Sequence, residues 1–247
     1  MNNIAIIIPA RLASSRLPNK PLAIINNKTM IERVCSQAKK SNISNVFVAC
    51  DCQEIFTKVA SSGFKAILTD PKLPSGTDRI YQAYQKISNK YEYIINLQGD
   101  LPNIDPQIIN NVANVAIKNN HDITTLAYPI TNHNEINDPN IVKIAIAFKK
   151  SQEEGRALYF SRSPIPYSKS QNTYYHHIGI YVYKAKSLEK FIKLAPSQLE
   201  KREGLEQLRA LENNMSIYVK ITNSRPISVD TQSDLEMIQK LISNEES

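Results

Sequence analysis

Residues 6–22 read IIIPARLASSRLPNKPL, an apolar run followed at once by a loop that carries Arg11, Arg16 and Lys20 and no acid. Three like charges on a short loop repel one another unless water screens them or an anion lies among them. The loop is therefore either a solvated surface segment or an anion cradle. What surrounds it decides the fold.

Residues 4–8 (IAIII), 46–50 (VFVAC), 65–69 (KAILT) and 93–97 (YIINL) are short apolar or β-branched runs. Such runs are expected for strands covered on both faces. Between them, Met30, Ile31, Val34 and Ala38 fall at helical spacing, as do Ile55, Phe56, Val59 and Ala60, closed by Gly63. Ile80, Ala83, Tyr84 and Ile87 form a third stripe, and Asp105–Pro106 opens a fourth through Ile108, Ile109, Val112 and Val115. The alternation predicts an α/β fold with a mostly parallel, nucleotide-binding sheet flanked by helices. The second half is less regular and more antiparallel. Strands are expected near 123–130, 141–148, 157–161, 174–183 and 216–222, and helices near 187–194, 199–213 and 232–242. Thr231 with Asp234 caps the last helix.

One domain over residues 1–247 accommodates this pattern. Neither a signal peptide nor an apolar stretch near the ~20 residues of a membrane span is evident. Cys35, Cys50 and Cys52 have no second Cys/His cluster to complete a tetrahedral metal site, and reduced cysteines in a cytoplasmic protein are expected. The formal net charge of +7 is spread thinly, without the basic run of a nucleic-acid binder.

Ligands of open parallel sheets bind beyond the carboxyl ends of the strands. The cation loop leaves one such end, and Gln98–Gly99–Asp100 leaves another. The loop has neither a dinucleotide-binding glycine fingerprint nor a Walker glycine–lysine pattern. It can hold a triphosphate through side-chain cations instead. Asp100 ends an apolar strand, where a carboxylate needs a partner or a metal. Asp230 repeats that pattern before the last helix, either as a helix-start residue or with Asp100 as a hard-oxygen site for Mg²⁺. In residues 74–80, PSGTDRI, a turn leads into a helix whose free N–H groups either are merely capped or read a polar ligand.

The segments IIPARLASSRLPNKPL (7–22), SGTDR (75–79), NLQGD (96–100), ALYFSRSPIP (157–166), HHIGIYVY (176–183), LEQLR (205–209) and VDTQSDLE (229–236) occur in this order. Together they resemble the 3-deoxy-manno-octulosonate cytidylyltransferases, also called CMP-Kdo synthetases, over roughly residues 4–243. The opening segment is shared more loosely with other sugar nucleotidyltransferases, including CMP-sialic acid synthetases.

The resemblance implies a nucleotide-diphospho-sugar transferase fold and transfer of CMP from CTP to Kdo for lipopolysaccharide biosynthesis, with Mg²⁺ as cofactor. It assigns Arg11, Arg16 and Lys20 to the triphosphate, and Ser75, Gly76, Thr77 and Arg79 to the cytidine end. Asp100 and Asp230 would hold Mg²⁺, and these two aspartates with Arg16 and Lys20 would be the catalytic set. Gln98, Arg162, His177, Tyr181, Glu206 and Gln207 would meet the sugar acid. The implied division is a nucleotide and metal part over approximately 1–122 and 223–247, and a sugar-acid part over 123–222 that also pairs in a homodimer. No nucleic acid and no membrane is expected as a partner. From the residues alone, His177 equally suits a hydrogen-bonded core position and Glu206 a solvated helix face. Two departures stand out: Leu101 follows Asp100 where the family usually has Glu, and Leu73 stands where it tends to have His.

Overall fold

The computed structural model describes residues 2–13, 16–169 and 173–246, so Ser14 and Ser15 of the opening loop lie outside the described residues. The chain divides into two compact units, Met1–Asn110 with Pro226–Ser247, and Asn111–Arg225.

The first unit begins with β1 (Ile4–Ala10), the loop, and a 3₁₀ turn at Lys20–Leu22. A hairpin of β2 (Ile24–Ile25) and β3 (Lys28–Thr29) follows. Its turn residues Asn26 and Asn27 both have positive φ, as a two-residue hairpin turn requires. Then come α1 (Met30–Lys39), β4 (Val46–Cys50), α2 (Gln53–Ser61), β5 (Lys65–Leu68), α3 (Gly76–Lys86) and β6 (Tyr93–Asn96), after which α4 (Pro106–Asn119) carries the chain past the division at Asn110. β1 pairs in parallel with β4 and β6, and β4 in parallel with β5. The resulting order is β5-β4-β1-β6. β1 and β4 are buried almost throughout, as their apolar sequences demand. β5 departs from that expectation: it is the edge of the order, and Lys65 and Leu68 are exposed. Phe56 and Ala60 of α2 also lie outside the core that holds Ile55 and Val59.

Local chemistry sets the helix starts. Thr29 and Glu32 form a reciprocal capping box on α1. The Asp105 carboxylate accepts from the Gln107 amide at the start of α4. Gly63, at φ +78°, follows the C-cap of α2.

The second unit contains β7 (Ile123–Pro129), β8 (Lys143–Phe148), β9 (Glu154–Ser161), β10 (Tyr175–Lys184), α5 (Ala185–Ile192), α6 (Gln198–Glu203), α7 (Leu208–Glu212) and β11 (Ile217–Ile221). Its strand order is β10-β7-β11-β9-β8, with His176 also opposite Lys143 across β10 and β8. Among its described residues β7 and β11 run parallel, and the pairings β10–β7, β10–β8, β11–β9 and β8–β9 are antiparallel. The single helix expected over 199–213 is two, because Gly204 adopts φ +64° and ends α6 in a left-handed C-cap. α8 (Gln232–Glu246) returns the chain to the first unit, its start fixed by Thr231 and Asp234.

β10 slips register against β7 between Ile178 and Tyr181. Thr125 fills this irregularity, donating toward the carbonyls of Ile180 at 2.7 Å and Ile178 at 3.2 Å. Its hydroxyl has a single proton and both carbonyls only accept, so Nε2–H of His177, 3.0 Å away, must be the donor to Thr125 Oγ. That arrangement places a proton on Nε2, and burial of the ring keeps it neutral. Burial pushes His177 down to about 3, with His176 adding to the shift.

The folded state therefore refuses a proton that the unfolded chain accepts below its ordinary value of about 6.5. Stability from this site is complete above that value and falls as the pH drops toward 3. In His177→Gln, which keeps a donor for Thr125, the stability lost between pH 7 and pH 5 should be smaller by about 2 kcal/mol, read from urea unfolding at both pH values. Equal losses in both proteins would show that His177 does not control acid sensitivity.

Candidate active site

Parallel neighbours point their carboxyl ends the same way, so β1 and β6 deliver the cation loop and Gln98–Gly99–Asp100 to one edge of the first unit. The second approach is close: a Cβ on Gly99 would lie 2.9 Å from the Pro9 carbonyl oxygen, so a side chain there forces the two turns apart. A backbone hydrogen bond from Val229 N to Asp100 O, 3.0 Å, then brings the segment before α8 beside that turn. Asp230 is thereby set next to Asp100.

The loop is pinned at both ends. The Leu12 amide donates to both carboxylate oxygens of Asp51, at 3.2 and 3.1 Å. Leu17 is buried with Ile25, Met30, Val229, Leu235 and Ile238. Beyond it, Asn19 takes a left-handed conformation (φ 54°) and Pro21 is buried, which fixes the backbone of Lys20.

The Lys20 ammonium consequently sits between the two aspartates, with Nζ 2.7 Å from Asp100 Oδ2 and 2.8 Å from Asp230 Oδ1. Arg16 Nη2 lies 3.1 Å from the same Asp230 oxygen. Burial alone would lower the Lys20 pKa, but the charges and hydrogen bonds of Asp100 and Asp230 outweigh it and raise it. Arg11, Arg16, Lys20, Ser75, Gly76, Arg79, Gln98, Asp100 and Asp230 all line one cavity of about 310 Å³, together with Leu73 and Gly99.

Ser75 is the N-cap of α3, its Oγ accepting from Asp78 N at 3.1 Å and donating to Asp78 Oδ2 at 2.6 Å. Thr77 is buried in the first turn of α3. The buried Arg79 donates to Thr69 Oγ1 at 2.6 Å and to the Asp70 carbonyl at 3.2 Å, tying the turn before α3 to the end of β5. Gln98 donates to Asn96 Oδ1 at 3.3 Å. The position of the family's usual histidine is a wall of Leu73 and Pro74, and Leu101 is buried. Asp51 was not singled out from the sequence, since nothing in its spacing shows that it accepts from a loop amide.

The other five residues expected at the sugar acid belong to the second unit. The exposed Arg162 donates from Nε to the Glu203 carbonyl and from Nη1 to the Pro139 carbonyl, both at 2.8 Å. Its amide donates to the Glu203 carboxylate at 2.9 Å. His177 is a core histidine in its contacts, with the Phe160 ring edge-on at 4.9 Å and Tyr181 at 5.4 Å. Burial raises the Tyr181 hydroxyl far above its ordinary value, and the Glu206 charge adds to it. Gln207 is buried before α7. Beside it Arg209 forks onto Glu200, with contacts of 2.5 and 2.9 Å, and its guanidinium lies 4.9 Å over the Phe191 ring. Burial would raise the Glu200 pKa, and this fork reverses the shift.

Among the described residues no group of three or more His, Cys, Asp or Glu side chains could hold a metal ion. Nor, among the described residues, is any helix long and apolar enough to cross a membrane.

The chain matches the Cytidylyltransferase family over residues 5–217. It is 44% identical over 239 residues to the 3-deoxy-manno-octulosonate cytidylyltransferase of Paramagnetospirillum magneticum, covering 96% of each chain. The enzyme of the same description from Brucella ovis is 47% identical over 232 residues, 93% of this chain and 92% of that one. Among solved structures, a CMP:2-keto-3-deoxy-manno-octonic acid synthetase complexed with CTP superposes with a TM-score of 0.92 at 35% identity, over 99% of this chain and 100% of the other. A putative glucose-1-phosphate thymidylyltransferase from Bacillus anthracis gives 0.66 at 16% identity, over 96% and 94%, a likeness of fold alone. This level of identity along nearly the whole length makes the chain a member of the 3-deoxy-manno-octulosonate cytidylyltransferase family, and so a cytidylyltransferase with the nucleotide-diphospho-sugar transferase fold.

Proposed function

We propose that the protein transfers CMP from CTP to the 2-hydroxyl of Kdo, releasing pyrophosphate. The observation that carries this reading is the convergence of Arg16 and Lys20 with Asp100 and Asp230 in one cavity beside the Ser75 cap of α3. Family membership supports CTP and Kdo as the substrate pair.

The donor set fits Mg²⁺. Two hard carboxylates reach one point, as their shared contact with Lys20 Nζ demonstrates, and phosphate oxygens and water would supply the remaining ligands. Bound there, the ion would polarise phosphate oxygens and lower the pKa of the attacking hydroxyl. Arg11, Arg16 and Lys20 would hold the triphosphate, and Arg16 and Lys20 would stabilise charge on the departing pyrophosphate. The first turn of α3 would offer Ser75, Gly76 and Thr77 to the cytidine end, with Arg79 holding that turn in place. Gln98, Arg162, His177, Tyr181, Glu206 and Gln207 would meet the sugar acid: Arg162 for its carboxylate, the neutral groups for its hydroxyls. The product would feed lipopolysaccharide synthesis in the cytoplasm. The approximate parts 1–122 with 223–247, and 123–222, would serve nucleotide and sugar acid respectively. Pairing into a homodimer would use the second part, where Leu158 and Tyr167 expose apolar surface.

Pyrophosphate release from CTP should require Kdo and should be absent with sialic acid or with no sugar. Release with sialic acid as efficient as with Kdo would overturn the substrate assignment. Asp100→Asn and Asp230→Asn should each lower kcat/KM by roughly 100-fold, since each removes a charge-assisted contact of about 1.5–3 kcal/mol. The double variant should lose less than the product of the two, because both serve one ion. A nearly silent Asp230→Asn would leave that residue a helix-start group. Arg162→Lys should raise the apparent KM for Kdo about 10- to 100-fold with CTP nearly unaffected. A lowered melting temperature with parallel losses for both substrates would instead assign Arg162 to its contacts with Glu203 and Pro139.

A further inference from the structure

Lys20 is, among the described residues, the cation that contacts both Asp100 and Asp230. Its position is built in. The backbone is set by the left-handed Asn19 and the buried Pro21, and the side chain is only 15% exposed. With Arg16 also on Asp230, both aspartates already have positive partners without any metal.

A divalent ion added to this set would place two more positive charges beside Lys20, Arg16 and Arg11, and its repulsion of the part-buried Lys20 is the least screened. It would also compete for carboxylate oxygens already accepting from an ammonium. A polyphosphate removes both obstacles, because it carries the missing negative charge and offers acceptors for Lys20. The lysine chain suits the exchange: it is a point charge on a flexible four-carbon stem and re-aims without disturbing the backbone.

We infer that Lys20 is a stand-in cation for the aspartate pair, so that a divalent ion takes Asp100 and Asp230 only together with the nucleotide whose phosphates draw Lys20 away. This rests on the reading of the two aspartates as the metal site. By linkage, the factor by which nucleotide favours the ion equals the factor by which the ion favours nucleotide. Lys20 is in this respect a positioning residue, distinct from its contact with the phosphates.

The test titrates the full chain with Mn²⁺ in the absence of nucleotide, following free Mn²⁺ by its electron paramagnetic resonance signal. Wild type should bind weakly, and Lys20→Met at least tenfold more tightly. Lys20→Gln, which keeps a hydrogen-bond donor without the charge, should also gain and serves as the second variant if Lys20→Met does not fold. Arg11→Met removes an equal charge from the same cavity but from a residue with no ion pair to either aspartate, and should gain less than threefold. No gain in either Lys20 variant would overturn the inference, as would an equal gain in Arg11→Met, which would reduce the effect to net charge. Adding Asp230→Asn to Lys20→Met separates the two levels. Lost binding supports the aspartate pair as the metal site, so a missing Lys20 effect then counts against the stand-in role alone. Unchanged binding overturns the metal site and the inference with it.

Discussion

Two ionised carboxylates held side by side at the end of a parallel sheet repel one another unless a cation lies between them. Lys20 meets that constraint, and much of the first unit is arranged around it. Asp100 comes from the turn after β6, Asp230 from the segment before α8, and Lys20 from the loop after β1. Each of the three is delivered by a different kind of restraint: a glycine that lets two turns approach, a backbone hydrogen bond, and a buried leucine and proline. None of these restraints is an ion pair. The apolar packing and backbone geometry carry the charges together, and the ion pairs answer what that packing imposes.

The helical and strand periodicities of the first half were legible because each element buries a regular face. Ile6–Ile8 and Val46–Cys50 are apolar in sequence and buried in structure for the same reason. β5 was less legible, since a run such as KAILT does not reveal whether a strand is central or at an edge. The break between α6 and α7 rests on the φ of one glycine, which a stripe of apolar residues does not report. The Asn26–Asn27 turn had a sequence signal, two adjacent residues that tolerate positive φ, in strands too short to show alternation.

The candidate site was legible to a different degree in each unit. Charge without neighbouring counter-charge marked Arg11, Arg16 and Lys20, and an acid after an apolar run marked Asp100. What sequence could not supply is which side chains are already engaged. The resemblance assigns Arg79 and Arg162 to ligands, and it does not report that each also spends donors on backbone carbonyls. His177 was open between core and ligand, and its environment is that of a core histidine held in one tautomer by Thr125.

The ion pair between Lys20 and Asp230 spans 210 positions of the chain. On the ribosome, the cation loop emerges early and the segment after Pro226 only after the whole of the intervening unit has been made. Until then Leu17 lacks Val229, Leu235 and Ile238, and Lys20 lacks one of its two carboxylates. A nascent chain thus has the strands of the first sheet without a finished cation loop. Contacts of such long separation close slowly, which makes completion of this cavity a late event in the maturation of each molecule.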